Sequence, residues 1–171
     1  RLFQKRPNWY CVFEGFECDR ESMRMTVIEK VMALQTVDIF SEVSTEQLSH
    51  LAVIAEEVTF QAADVIYKES DPPTAMYFVL EGKVKLHREE LEVTIAEAND
   101  VFGTWALFDD EPMVVTATPM ETTRVLKIDK DDFIDLLADY VQITQGVLKA
   151  MVTRLRGLVG RVSPDSATDS T

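Results

Sequence analysis

The stretch Val101-Phe102-Gly103-Thr104-Trp105-Ala106-Leu107-Phe108-Asp109-Asp110-Glu111-Pro112-Met113-Val114-Val115-Thr116-Ala117 decides the fold of this chain. Its order of residue types predicts a strand end, a glycine turn, one short helix, an acidic loop and a second strand. Hydrophobic residues flank the glycine turn on both sides. The stretch therefore predicts a tight connection between two hydrophobic elements.

Short strands between turn signals surround this stretch. Such spacing is typical of a closed or double-sheet antiparallel roll. The strands are expected near residues 58–60, 65–68, 75–80, 83–87, 93–96, 114–117 and 123–128.

Helices are predicted on both sides of the roll. Helical spacing favours one over residues 21–34, and the capping box from Ser44 to Gln47 opens another that buries Leu48, Leu51, Ala52 and Ala55. Asp129 caps a third helix, and a last one runs from about Tyr140 to Gly160. The predicted class is α+β: a jelly-roll-like, double-sheet antiparallel β roll flanked by N-terminal helices and a C-terminal helix pair.

Composition limits the function of the chain. The net charge of −13 disfavours nonspecific binding to nucleic acid or to anionic membranes. No apolar run approaches the roughly 20 residues that span a bilayer, and no signal peptide is visible, so a cytoplasmic location is expected. The sequence holds no nucleophile–histidine order, metal-ligand cluster or phosphate-loop glycine pattern. We therefore expect no enzyme activity, no metal and no cofactor.

The chain divides into an N-terminal extension (residues 1–25), one domain (26–162) and a disordered tail (163–171). The extension is basic and then aromatic. It serves either as a docking arm for a partner or a preceding domain, or as a cover for the domain's own surface, which we favour. Cys11 and Cys18 are expected to be free thiols, with a disulfide as the alternative. Because the chain begins with Arg1, we expect it to be part of a longer polypeptide.

The stretch from Phe102 to Thr116 resembles the phosphate-binding cassette of cyclic nucleotide-binding domains, whose pattern is F-G-E-x-A-L-x(4)-P-R-x-A-T. The chain keeps the pattern at Phe102, Gly103, Ala106, Leu107, Pro112 and Thr116. It departs at both charged positions. The Glu that holds the ribose 2′-hydroxyl in the family is Thr104 here, and the Arg that pairs with the cyclic phosphate is Met113. The chain thus resembles a degenerate, Crp-like member of the family.

The resemblance extends over roughly residues 26–161 and implies the family's β roll. The family has glycine where this chain has Ala63 and Asn99. Asn tolerates the left-handed backbone region well, whereas Ala does so at a cost of about 1–2 kcal/mol. We therefore expect the turn at Ala63 to have relaxed to an ordinary conformation.

The altered cassette predicts a lost ligand. An anionic phosphate buried in a roll needs a charged partner, and a charged hydrogen bond contributes about 1.5–3 kcal/mol. We expect a structural turn whose hollow is closed by apolar side chains, with Trp105 and Phe108 as candidates for filling it. The alternatives are a pocket for an uncharged or apolar ligand, and residual nucleotide binding. The vestigial ligand site comprises Phe102, Gly103, Thr104, Trp105, Ala106, Leu107, Met113, Val114 and Thr116.

The last helix carries apolar residues at heptad spacing, interrupted by Thr144. The family's bacterial regulators dimerise through this helix, so the resemblance implies a homodimer; the alternative is a helix folded back on the roll. The predicted interface residues are Leu148, Met151, Leu155 and Leu158. In those regulators a DNA-binding domain follows the helix, and this chain carries no helix-turn-helix there, so by itself it is not expected to bind DNA. The expected role is that of a regulatory or assembly module, with a larger parent protein or a protein partner.

Overall fold

The structure is a computed structural model that describes residues 24–162, with side chains described as far as Gly157. The predictions for most of the N-terminal extension, for Cys11 and Cys18, for the tail and for the side chain of Leu158 lie outside these residues.

The elements confirm the α+β class. The helices are α1 (Val27–Leu34), α2 (Thr45–Ile54), α3 (Lys130–Asp139) and α4 (Val141–Val162), with two short 3₁₀ helices at Asp38–Phe40 and Thr104–Leu107. The strands are β1 (Glu56–Phe60), β2 (Ala75–Glu81), β3 (Val84–Arg88), β4 (Leu91–Ala96), β5 (Val101–Phe102), β6 (Thr116–Pro119) and β7 (Thr123–Asp129).

Two antiparallel sheets form the roll. The four-stranded sheet has the order β1-β7-β2-β5, and the three-stranded sheet has the order β4-β3-β6. The two sheets are joined along the chain by turns, as the sequence spacing predicted. One predicted strand is wrong: residues 65–68 contribute only an isolated bridge, between Tyr67 and Ala117.

The four-stranded sheet separates two cores because successive side chains of a strand point to opposite faces. On β2, Tyr77 and Val79 face the interior of the roll, whereas Met76 and Phe78 face the helices. The helical core contains the largest fully buried residues, including Phe40 and Phe133. The roll and the helices are therefore held together by one shared sheet.

The two N-terminal helices, α1 and α2, each begin with a capping box. The Ser44 side chain accepts from the Gln47 N–H, as predicted, and Thr26 forms the same arrangement with Glu29. The predicted start of α1 at residue 21 is wrong for the described part, since residues 24–26 precede the helix. A threonine cap rather than the hydrophobic spacing marks the true start.

The turn at Ala63 has not relaxed. Ala63 has a φ of 66° and Asn99 a φ of 75°, so both keep the left-handed conformation. The prediction for Asn99 is confirmed and that for Ala63 is wrong. The Ala63 N–H donates to the Pro119 carbonyl at 3.0 Å, which ties this turn to the end of β6. The neighbouring pairing therefore imposes the turn even on a residue with a Cβ.

The helix α4 lies on the domain by one face. Ile143, Val147 and Ala150 are buried there, and Lys149 forms an ion pair with Glu42 at 2.5 Å. Gly146 makes this contact possible, since a Cβ at that position would lie 2.9 Å from the Glu42 carbonyl oxygen. The opposite face is apolar and uncovered among the described residues: it carries Val141, Leu148, Val152 and Leu155.

Candidate functional site

The cassette begins at Gly103, which ends β5 and caps the short helix Thr104–Leu107, called here the cassette helix. Gly103 has a φ of 71°, and a Cβ at that position would lie 2.9 Å from the Ala75 carbonyl oxygen. Only glycine satisfies both conditions without strain. The turn that the sequence predicted at this point is therefore preserved in its backbone.

The cassette helix is anchored by Ala106 and Leu107, which are both buried. The prediction that Trp105 and Phe108 fill the hollow of the roll is wrong. The Trp105 side chain is 80% exposed, and Phe108, 40% exposed, packs edge-on against Phe133 of the helical core at 5.6 Å. Both rings point away from the roll interior, so they cannot close it.

Aromatic rings fill much of the roll interior. Tyr77 and Phe102 stack at a centroid distance of 5.1 Å, and Tyr67 lies 6.0 Å from Tyr77 and 6.1 Å from Phe102. Phe60 adds an edge-on contact with Tyr77 at 6.5 Å. Phe102, a predicted site residue, thus belongs to the core of the roll.

Met113 occupies the position where the resemblance implies an arginine. Its half-buried side chain packs against the roll core. Its backbone is fixed on both sides: the N–H donates to the Asp71 carbonyl at 2.9 Å, and the carbonyl accepts from the Ser70 N–H at 2.8 Å. The thioether therefore faces the interior as part of the apolar wall.

The remaining predicted residues have separate environments. Thr116 accepts a hydrogen bond from the Glu69 N–H at 3.0 Å, and Val114 is exposed. Thr104 is half-buried and lines a groove beside α4. Thr104 and Met113, at the two positions that are charged in the family, therefore supply neither a carboxylate nor a cation.

One cation shares the interior face of the sheet. Lys127 pairs across the sheet with Tyr77 and is ion-paired with Asp129 at 2.7 Å. The sequence predicted Asp129 as a helix cap; it stands at that position, but without a capping side-chain hydrogen bond. Although burial lowers the pKa of Lys127, the hydrogen bond and charge of Asp129 raise it overall. The ammonium is therefore neutralised within the domain.

Two tyrosines, Tyr67 and Tyr77, bring phenol hydroxyl groups to the otherwise apolar core of the roll. Burial raises the pKa of Tyr67, and the neighbouring Tyr77 raises it further. Burial also raises the pKa of Tyr77 against the opposing effect of Lys127. Among the described residues, no fully buried side-chain oxygen or nitrogen lacks a hydrogen-bond partner, so neither hydroxyl is an orphaned donor in the core. Both phenols are neutral groups that can donate a hydrogen bond.

The acidic loop after the cassette helix is tied to α3. The Lys130 ammonium donates to the Asp109 carbonyl and to an Asp110 carboxylate oxygen, both at 2.6 Å. The hydrogen bond from Lys130, with its charge, lowers the pKa of Asp110. The sequence predicted an acidic loop here but not its contact with Lys130, which follows the loop by some twenty residues.

Two lysines at β3 are paired on the surface. Lys83, just before β3, pairs with Glu97 at 2.7 Å and Lys85, on β3, pairs with Glu92 at 3.8 Å, which supports a solvated strand face over an anion site. His50 stacks on Tyr140 at 4.2 Å, consistent with a packing role. Within residues 24–162, no cluster of three or more metal-binding side chains occurs, and no helix has the length and apolar composition needed to cross a bilayer.

A groove of about 770 Å³ lies between α4 and the cassette helix, on the helical side of the sheet. Its apolar lining includes Ile39, Val101, Trp105 and Leu155. Asp38, Asp100 and Arg154 contribute the charges. The sequence did not predict this groove, because it depends on the packing of three segments that are distant along the chain.

Comparison with known proteins supports this description of the fold. Residues 57–140 match the model of the family described as "Cyclic nucleotide-binding domain". The chain is 28% identical over 128 residues to the CRP-like cAMP-activated global transcriptional regulator of Mycobacterium tuberculosis, covering 72% of this chain and 57% of that protein. It is 32% identical over 114 residues to the cAMP-dependent protein kinase regulatory subunit of Dictyostelium discoideum, covering 62% of this chain and 33% of that protein.

A solved structure agrees with these relatives. The N-terminal domain of a transcriptional regulator from Streptomyces coelicolor A3(2) superimposes with a TM-score of 0.69 at 27% identity, over 80% of this chain and 99% of that one. The chain spans 57% and 33% of the two relatives above, so the comparison concerns one domain of larger proteins. Both relatives are regulators rather than enzymes by name. The two sheets, the cassette turn, the match over residues 57–140 and these relatives together show that the chain has a cyclic nucleotide-binding, Crp-like fold.

Proposed function

We propose that this domain is a non-enzymatic regulatory or assembly module that has lost cyclic nucleotide binding. The observation that carries this proposal is the environment of Met113. Its side chain contributes to the apolar wall of the roll, where the family pattern has the arginine that pairs with the phosphate. Burying an unmatched anion there is costly, because no charged hydrogen bond compensates its desolvation.

The lysine on the interior face of the sheet does not replace the missing arginine. Lys127 lies on the interior face of the sheet and is already paired with Asp129 at 2.7 Å. An incoming phosphate would have to displace that carboxylate. The net charge of −13 adds a long-range repulsion for any anion that approaches the domain.

Isothermal titration calorimetry with cyclic AMP and cyclic GMP tests the loss of binding. We expect no binding with a dissociation constant below about 10 µM, which corresponds to roughly −6.8 kcal/mol. A dissociation constant near or below that value for either nucleotide would contradict the proposal.

A second candidate function is sensing of an uncharged small molecule in the roll. It is favoured by Tyr67 and Tyr77, two buried tyrosines that bring phenol groups to the apolar core of the roll. A neutral ligand with an acceptor oxygen suits such donors. Thermal shift with a panel of neutral metabolites distinguishes the two functions: a saturable rise in melting temperature that Tyr67→Phe reduces would favour the sensor.

We further propose that the module forms a homodimer through α4. Leu148 and Leu155 lie on the uncovered face and are 57% and 61% exposed. A stripe of this kind favours a protein interface. Of the other two predicted interface residues, Met151 is half-buried against the helical core, so it belongs to the edge of the stripe.

Light scattering at tens of micromolar tests the homodimer. We expect twice the chain mass for the wild type and a monomer for Leu155→Asp, with an unchanged circular dichroism spectrum. Ile28→Asp is the matched control, since Ile28 is an equally uncovered apolar residue on α1. A monomeric wild type would refute this part of the proposal.

A further inference from the structure

The apolar stripe of α4 continues into the groove beside the cassette helix. Leu155 belongs to the stripe and, like Trp105, also lines the groove. Trp105 is 80% exposed, the highest exposure among the large hydrophobic residues of the described chain. A tryptophan in that position is costly to leave in water and is the residue type most enriched at the centres of protein interfaces.

The charges on α4 indicate what covers this surface. The helix contains no acidic residue, and Arg154 and Arg156 have no ion-pair partner within the described residues. Most other described cations of this acidic chain are neutralised internally, as Arg88 is by Glu69. If two copies touched only through α4, their arginines would approach each other with no carboxylate of α4 to balance them.

The groove supplies the missing carboxylates. Asp38 and Asp100 both line it, together with Arg154 of the same subunit, so its lining holds more carboxylates than guanidinium groups. A helix that carries arginines and an apolar stripe, laid along the mouth of the groove, would find both an apolar surface and opposite charge. Helix α4 of a second copy has both properties, so the surface is complementary to the chain's own helix.

We propose that, in the homodimer, α4 of the partner subunit lies along the mouth of the groove and covers Trp105, so that the cassette helix forms part of the dimer interface. This inference rests on the proposed homodimer. It adds a specific consequence: a change in the position of the cassette helix in one subunit alters its contact with the α4 helix of the other. The surface on which the family's ligand turn is built thereby becomes a point of communication between subunits.

Tryptophan fluorescence tests the proposal in the full chain. The sequence has two tryptophans, Trp9 and Trp105, so the variant Trp9→Phe leaves Trp105 as the sole emitter. On dilution from about 100 µM to about 0.1 µM, spanning the dissociation constants of weak and moderate dimers, we expect the emission to move to longer wavelength as the dimer separates and Trp105 becomes hydrated. Leu155→Asp in the same background should show the long-wavelength emission at every concentration.

Substitution of the ring provides an independent measurement. We expect Trp105→Ala to weaken the dimer about tenfold or more in sedimentation equilibrium. Leu91→Ala, which removes an exposed apolar side chain from β4, is the control and should leave the dimer unchanged. Circular dichroism verifies that each variant is folded.

The outcomes separate this inference from the homodimer on which it rests. If the chain is a dimer but its Trp105 emission does not change with concentration and Trp105→Ala leaves the dimer intact, the inference is wrong and the proposed homodimer still holds. A chain that stays monomeric throughout would overturn both.

Discussion

The rings of Tyr77 and Phe102 stack inside the roll with centroids 5.1 Å apart and planes inclined by 12°. This pair joins the β2 strand to β5, the strand that ends at the cassette glycine. The stacked pair therefore fixes the start of the cassette helix from the interior side. It also explains how the cassette keeps its backbone although the charged positions of the family pattern have changed.

Restoring those charges is the most direct experiment on the site. Because Gly103 retains the left-handed turn and the close approach to Ala75, we expect the double variant Met113→Arg with Thr104→Glu to gain measurable affinity for a cyclic nucleotide. One recovered charged hydrogen bond contributes about 1.5–3 kcal/mol, roughly ten- to a hundredfold in affinity. Calorimetry would measure the gain.

Met113→Leu with Thr104→Glu is the matched control, since it leaves the apolar wall without a cation. A folded double variant that gains no affinity would show that the aromatic rings, rather than the absent charges, exclude the ligand.

The Ala63 turn predicts a stabilising substitution. Ala63 has a φ of 66°, which costs a residue with a Cβ about 1–2 kcal/mol. Ala63→Gly removes that strain. It also increases the conformational entropy of the unfolded chain, which lowers the free energy of unfolding by about 0.4–1 kcal/mol. We expect a net gain of about 0.5–1 kcal/mol in the free energy of unfolding, measured by urea denaturation.

The neighbour Ala62 is the matched control for this change, because its φ is not positive. Ala62→Gly should lower the free energy of unfolding by about 0.4–1 kcal/mol. Equal effects of the two substitutions would contradict the assignment of strain to Ala63.

Alanine substitutions at two glycines of α4 are expected to have opposite effects on the stability of the domain. A Cβ at Gly146 would lie 2.9 Å from both the Glu42 carbonyl oxygen and Val43, whereas a Cβ at Gly157 would meet nothing within 4 Å. We expect Gly146→Ala to destabilise the domain by about 1–3 kcal/mol through overpacking. Gly157→Ala should stabilise the helix by about 1 kcal/mol.

Both substitutions are best compared by urea denaturation in the Leu155→Asp background, which removes any contribution from association. A Gly146→Ala variant as stable as its parent would mean that α4 docks on the domain less closely than the structure indicates.

The sequence predicted the roll and the capping box at Ser44 because these depend on local signals: strand spacing, turn residues and a cap three residues from its partner. The exposed position of Trp105 and the groove beside it depend on long-range packing. The sequence near the glycine turn does not indicate whether the Trp105 ring lies inside the roll or on the surface. Ala63 shows the same limit, since the hydrogen bond to Pro119 that imposes its conformation joins residues far apart in the chain. The close packing of Gly146 against Glu42 and Val43 likewise depends on residues about a hundred positions earlier in the chain.

The ion pair between Arg124 and Glu57 predicts sensitivity to acid. Arg124 donates from Nε to a Glu57 carboxylate oxygen at 2.9 Å, and the Met25 N–H donates to the other oxygen at 2.9 Å. Although burial raises the pKa of Glu57, these hydrogen bonds and the charge of Arg124 lower it overall. The folded pKa therefore lies below the unfolded value, which is about 4.3.

The sign of the pH effect follows from that difference. The contribution of Glu57 to stability is fully present above the unfolded pKa and is lost as the pH falls through the folded pKa. We expect the melting temperature of Glu57→Gln to be lower than that of the wild type at pH 7 and to decline less between about pH 4.5 and pH 3.

Glu90→Gln, at an exposed position in the turn between β3 and β4, is the control and should follow the wild-type curve of melting temperature against pH. Parallel curves for Glu57→Gln and the wild type would show that another carboxylate governs the acid transition. In that case Glu29 is the next to test, because its hydrogen bonds with Thr26 also lower its pKa.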